Sequence, residues 1–330
     1  MTSDLNEQIS IVLTGRVDKN YTRRCLMSIQ HSFLNPRVIL SGWETDEKII
    51  LELAKDFDVL EYILTPDPGS PLRNPKTSRL HNVNRIIVSS QNGIRDIKTK
   101  YVLRCRADLN FKNANFIELL EKFAAQTCDT NKILVSNITT VDARNGYKML
   151  YHVNDWIHFG ETKVIIDFFD IPLMPDEFCD WYSRHPKPED KHDAGNLSKF
   201  MAEDWLTCNY ILKKEQIKHE FYWDFDENEL DKWEKLLPKY FVVLPNNILG
   251  ISNLKIAKIR TFHMWPYLSL TRYRKLADFD VSTTEILIDD VIRIFRKNLF
   301  LIWKWKEVFK ILLRSAVTKL KQKIEVWVIK

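Results

Sequence analysis

Short apolar runs alternate with stretches whose apolar residues recur every three or four positions, and this alternation spans most of the chain. Ile9–Thr14 reads as a strand closed by Gly15, and residues 23–32 as a helix with Leu26, Ile29 and Phe33 on one stripe. Residues 37–40 and 59–64 give two further strands around a helix that starts near Thr45 or Asp46. After the turn-rich residues 65–76, residues 80–92 form a helix on Val83, Ile86 and Ile87, ended by Gly93. Strands follow at 101–105, 132–136 and 241–244, with a helix around Phe116, Leu119, Leu120 and Phe123 and another over 197–212. Residues 137–180 are irregular, with a second small sheet expected around 147–153. The whole pattern predicts an α/β fold: a mostly parallel sheet flanked by helices.

The end of the chain differs. Phe309, Leu312, Leu313, Ala316, Val317, Leu320, Ile324 and Val328 recur along one helical face, so residues 251–330 are expected as a helical extension to a main domain of residues 1–250. Charge sharpens this division. Residues 293–330 hold eleven Lys/Arg and two acidic residues, whereas the whole chain carries only +5, which leaves the main domain acidic. No nucleic-acid affinity is expected of that domain. The basic segment, with Trp303, Trp305 and Trp327, suits an anionic membrane surface, and docking on its own domain or in a homo-oligomer is the alternative.

The five cysteines are widely spaced without a CxxC pair, as buried reduced thiols would be. The N-terminus is too polar for a signal peptide and no run of about 18 apolar residues occurs, so a cytoplasmic location is expected. The first strand and turn lack a GxGxxG pattern, which excludes a typical dehydrogenase.

Candidate chemistry gathers where strands should emerge, because ligands of open α/β sheets bind at the carboxyl ends of the strands. Thr14, Gly15 and Arg16 stand at the end of the first strand, Trp43 after the second, and Arg104, Arg106 and Asp108 where the strand YVLRC emerges. Gly15 permits close backbone approach, Arg16 can meet a phosphate, and Trp43 either stacks on a base or packs in the core. Asn82, Asn84 and Arg85 at a helix start offer donors to a ribose or pyrophosphate, aided by free backbone amides. Asp108 is a lone carboxylate for Mg²⁺ or Mn²⁺, and arginines can neutralise a leaving diphosphate without metal, so metal use stays open. Glu203 and Asp204 are adjacent carboxylates at a helix start, pointing about 100° apart, and either can deprotonate an acceptor hydroxyl. Asp155, Trp156 and His158 in DWIHFG combine polar groups with an aromatic platform suited to an acceptor sugar, although His158 fits a core position equally well.

The ordered landmarks ISIVLTGRV, VILSGWE, HNVNRIIVSSQNGI, YVLRCRADLNF, VNDWIHFG and AEDWLTCNYI resemble the WavE lipopolysaccharide-synthesis family over roughly residues 9–212. That resemblance implies a GT-A-like glycosyltransferase with a nucleotide-sugar donor near Asn84, Arg85 and Asp108. Where many such enzymes carry a metal-binding DxD pair, Arg106-Ala107-Asp108 retains only the last acid. The resemblance to the acidic pair of many inverting enzymes favours Asp204 as base, while the glutamate that WavE-like proteins keep favours Glu203; both are retained, with Asp204 slightly ahead. It implies transfer to a lipid-linked lipopolysaccharide or capsular glycan at the cytoplasmic face of the bacterial inner membrane. The alternatives are a sugar-phosphate or polyol-phosphate transferase and a non-catalytic glycan-binding protein.

Overall fold

The computed structural model describes residues 8–58, 60–74, 79–125, 131–186, 197–253 and 267–292. The expected alternation begins with β1 (Ile9–Thr14), α1 (Lys19–Ser32), β2 (Arg37–Trp43), α2 (Glu47–Asp56) and β3 (Leu60–Thr65). Helix α1 starts earlier than its apolar stripe, because the Asp18 carboxylate accepts from the Asn20 and Tyr21 amides. A small hairpin, β4 (Leu72–Asn74) and β5 (Arg79–Leu80), precedes α3 (Val83–Ile94). Then come β6 (Tyr101–Arg106), β7 (Leu109–Phe111), α4 (Phe116–Ala125), β8 (Ile133–Ser136), β9 (Ile157–Glu161) and α5 (Thr162–Phe169). The chain continues through α6 (Ala202–Leu212), α7 (Glu227–Tyr240), β10 (Phe241–Leu244), α8 (Asn246–Leu249), β11 (Ile251–Asn253) and α9 (Leu270–Leu276).

Seven strands form one sheet in the order β10-β8-β9-β6-β1-β2-β3. All neighbours pair parallel except β9, which runs antiparallel to both β6 and β8. Every residue of β1 is buried, so both faces of the sheet are covered, as parallel strands require. Successive β1 residues alternate between two cores. Ile11 and Leu13 pack with Leu26 and Ile29 of α1 and Phe116 and Leu120 of α4. Val12 packs on the other side with Val83 and Ile87 of α3, Ile165 and Phe168 of α5, and Leu206 and Ile211 of α6. This is the α/β architecture the sequence predicted.

Three local expectations are corrected. Residues 147–153 form no strand; the missing strand is β9, which joins the main sheet. Gly93 lies inside α3 rather than ending it, and a Cβ there would come 2.4 Å from Val12 Cγ1, so its absence lets the helix lie against the sheet. The helix expected from 197 begins only at Ala202. Past residue 250 the chain keeps building the same fold: β11 pairs with β7, and the Tyr273 hydroxyl donates to the Phe241 carbonyl at 2.9 Å. The amphipathic pattern over 309–328 lies outside the described residues. Among the described residues no helix is long and apolar enough to cross a membrane.

Candidate active site

Because β1, β2, β3 and β6 run parallel, their carboxyl ends share one edge of the sheet, with Thr14 in register with Arg106 and Trp43 with Thr65. Strand β9 runs the other way, so the residue entering it, Asp155, arrives at that same edge. A cavity of about 580 Å³ opens there, within the usual size range for small-molecule sites. Four arginines and five carboxylates line it, a mixed rather than a purely cationic surface.

On the side of the first three strands, Gly15 holds φ +95°, a conformation that L side chains rarely adopt. The Thr14 hydroxyl donates to the Cys105 carbonyl at 3.4 Å and ties the end of β1 to β6. Trp43 is only 5% exposed yet touches the cavity, so it is packed and wall-forming at once. Arg16 also lines the cavity; it pulls Asp46 down, but burial outweighs it and raises that carboxyl above its usual range. Arg85 forks onto Asp67 (2.8 and 2.5 Å), and this bond holds Asp67 below the ordinary carboxylate range.

Arg106 forks onto Asp108 (3.0 and 2.8 Å), whose side chain is 4% exposed and also receives the Asn253 amide at 3.4 Å. The Arg106 guanidinium lies 5.6 Å over the Trp156 ring. Arg104 is buried deeper, donating to Ser90 Oγ at 2.9 Å and to the Asp155 carbonyl. Burial pushes its guanidinium down to about 10, which still leaves it charged at neutral pH.

The first turn of α3 borders the cavity through Asn82 and Arg85, so the positive end of the helix dipole lies beside it. Asn84 does not. Its amide donates to the Met174 carbonyl at 2.9 Å and accepts from the Met174 N–H at 2.8 Å, a buried clamp between α3 and the segment after α5. Asn84→Ala is therefore expected to cost about 1–3 kcal/mol of folding stability by orphaning both Met174 groups. Urea denaturation checks this, and unchanged stability would refute the clamp. His81, which the sequence reading left unassigned, lines the cavity beside Asn82. Its Nε2 donates to the Phe200 carbonyl at 3.0 Å and its Nδ1 accepts from the Val83 N–H at 3.5 Å, joining the α3 start to the segment before α6. Its only sequence cue is its place at the head of HNVNR.

The start of α6 adds Met201, Ala202 and Glu203 to the lining. Glu203 and Asp204 diverge as the helix dictates. Asp204 is 1% exposed, turned inward with Oδ1 accepting from the Trp205 N–H and Oδ2 3.5 Å from the buried His219 ring. The preference for Asp204 is thus corrected: Glu203 is the carboxylate on the cavity. Behind it, His152 donates from Nδ1 to the Thr139 carbonyl at 2.7 Å, which leaves Nε2 facing Glu203 at 3.9 Å. Thr139 itself holds a left-handed φ of +65°, a strained conformation for a β-branched residue.

Of the DWIHFG residues, only Asp155 lines the cavity. Burial first, then Glu203, pushes its carboxyl up to about 6 against the pull of Arg106 and Arg104. Trp156 is buried beneath Arg106 rather than offered to a sugar. His158 is fully buried, its ring 4.7 Å from Phe168 and 5.2 Å from Phe169, and burial keeps it neutral. The acceptor role expected for His158 is therefore corrected to a core role.

The donor set for a divalent ion is poor. Both Asp108 oxygens hold Arg106, and no group of three His, Cys, Asp or Glu side chains converges among the described residues. Hard cations such as Mg²⁺ and Mn²⁺ need several oxygen ligands.

A family model described as WavE lipopolysaccharide synthesis matches residues 9–298. No curated protein sequence gives a significant match. Among solved structures, HddC from Yersinia pseudotuberculosis complexed with GMP-PN is similar at 16% identity over 48% of this chain and 78% of that one, with a TM-score of 0.30. The 4-diphosphocytidyl-2C-methyl-D-erythritol synthase of Anaerococcus prevotii is 15% identical over 64% and 100% of the two chains, with a TM-score of 0.32. Mouse xyloside xylosyltransferase 1, in its apo form, is 10% identical over 72% and 84%, with a TM-score of 0.37. Likenesses at this level carry no inference about activity.

Proposed function

Because the chain belongs to the WavE lipopolysaccharide synthesis family, we propose that it is a glycosyltransferase moving a sugar from a nucleoside-diphosphate donor to a lipid-linked surface glycan at the cytoplasmic face of the inner membrane. The observation that carries this reading is that one cavity at the strand ends brings several arginines together with an accessible carboxylate. Arg16, Arg85, Arg106 and the start of α3 stand on the side of the parallel strand ends, and Glu203 stands on the start of α6.

In the proposed step, the acceptor hydroxyl gives its proton to Glu203 while its oxygen bonds to the anomeric carbon. The bond from that carbon to the diphosphate oxygen breaks, and the nucleoside diphosphate leaves with the electron pair. Arginines at the developing charge stabilise it. Attack opposite the leaving group inverts the anomeric centre. Asp108 acts through Arg106 by fixing the plane of its fork, and Asp67 does the same for Arg85.

The test is turnover of UDP-, GDP-, CDP- and CMP-linked sugars by the full chain, with a lipid-linked glycan acceptor and with or without Mg²⁺ or Mn²⁺. The expected product is the acceptor enlarged by one sugar, with free nucleotide released. A product that gains phosphorus would replace this reading with sugar-phosphate or polyol-phosphate transfer. Glycan binding without turnover of any donor would replace it with a non-catalytic role.

A further inference from the structure

Residues 283–292 form a helix whose polarity is reversed relative to an ordinary surface helix. Leu287, Ile288, Val291 and Ile292 are 63%, 54%, 59% and 41% exposed, and their spacing gathers them on one outward face. The half-buried positions are Glu285, Ile286, Asp289 and Asp290, and two of these acids reach back to the fold. Glu285 receives Arg274 at 2.6 Å, and Asp289 receives the Ser269 hydroxyl at 2.7 Å, so both bind the segment around α9. Ser282 and Glu285 cap the helix start reciprocally, at 3.2 Å and 3.0 Å. The helix is thus fastened to the fold by its polar side and shows its apolar side to the surroundings.

The chain that follows decides what covers this face. Residues 293–330 add eleven Lys/Arg against two acidic residues, together with three tryptophans. A second copy of the chain docking on the strip would bring two such basic segments together, at an electrostatic cost. An anionic lipid surface meets both features at once: headgroups take the positive charge, and the acyl boundary takes the apolar side chains. We propose that residues 283–292 are a membrane-docking edge built into the fold, with the basic segment beyond it supplying the attraction to anionic lipid. This edge rests on the membrane placement proposed above and deepens it, but it uses no residue of the cavity.

The experiment is co-sedimentation of the full chain with vesicles of phosphatidylcholine alone and of phosphatidylcholine mixed with phosphatidylglycerol. The expected result is binding to the mixed vesicles only, weakened as salt screens the charge. The combined substitution Leu287→Ser, Ile288→Ser, Val291→Ser, Ile292→Ser should reduce that binding by roughly tenfold or more while the basic segment stays intact. These side chains are exposed, so circular dichroism should report an unchanged fold. Equal binding by the variant, or binding indifferent to phosphatidylglycerol, would overturn the proposal. So would a concentration-dependent dimer, seen by sedimentation velocity, that the same substitutions abolish, because it would assign the strip to a second copy. Nucleotide binding in detergent should be the same for both proteins, which separates failure here from failure of the transferase reading.

Discussion

Glu203→Gln is expected to lower the turnover of sugar transfer by about a hundred- to ten-thousandfold, the range typical for loss of a general base. The amide keeps the size of the side chain at the start of α6 but takes no proton from an acceptor hydroxyl. The effect should fall mainly on kcat, because the lost group is the proton acceptor and not a ligand of the donor phosphates. A second signature accompanies it. The Asp155 carboxyl sits at about 6 partly because Glu203 repels its charge, so in the variant it should titrate lower, which carbon NMR of the carboxyls can follow. Asp204→Asn is the contrasting variant. It alters a buried contact with His219 and should change stability more than kcat. If Asp204→Asn abolished transfer and Glu203→Gln did not, the assignment of the base would be reversed.

Arg106→Ala should weaken nucleoside-diphosphate binding by about 2–5 kcal/mol, the cost of truncating one partner of a hydrogen-bonded charge pair. That corresponds to a loss of roughly tens- to thousands-fold in affinity. Two effects act in the same direction. The phosphates lose a guanidinium, and Asp108, only 4% exposed, loses the positive charge that offsets it and so repels an anionic ligand. Arg106→Lys should recover charge but not the planar fork, and so fall between the two. The double substitution Arg106→Ala, Asp108→Asn should bind better than Arg106→Ala alone, because it also removes the negative charge that Arg106 offsets. Calorimetry with UDP, GDP and CDP measures all four proteins, and wild-type affinity in Arg106→Ala would remove Arg106 from the donor site.

Much of this fold is legible in the chain. The opening strand, the strand YVLRC and the helix carrying Val83 and Ile87 each have the period of their element, and long parallel strands buried on both faces read as apolar runs. Strand β9 escapes notice for a physical reason. IHFGE places a histidine and a glycine in a fully covered strand, and His158 is tolerated there as a neutral ring between two phenylalanines. The site is legible only as a set of loops. Which of two adjacent carboxylates faces the cavity depends on the rotation of α6 about its axis, fixed by packing against distant segments, so Glu203 and Asp204 cannot be ranked from spacing. The roles of Asn84 and Asp67 are hidden for the same reason: Met174 and Arg85 become their partners only after the chain has folded.

The lone reversed strand has an evolutionary corollary. Because β9 enters the sheet from the edge that carries the cavity, the long irregular stretch between β8 and β9 is anchored at both ends on that edge. Its length can drift, by insertion or deletion, without shifting the register of β1, β2, β3 or β6. One half of the rim is therefore constrained as a unit, while the other can change in length, and related chains should differ in size most around residues 143–150, ahead of the VNDWIHFG landmark.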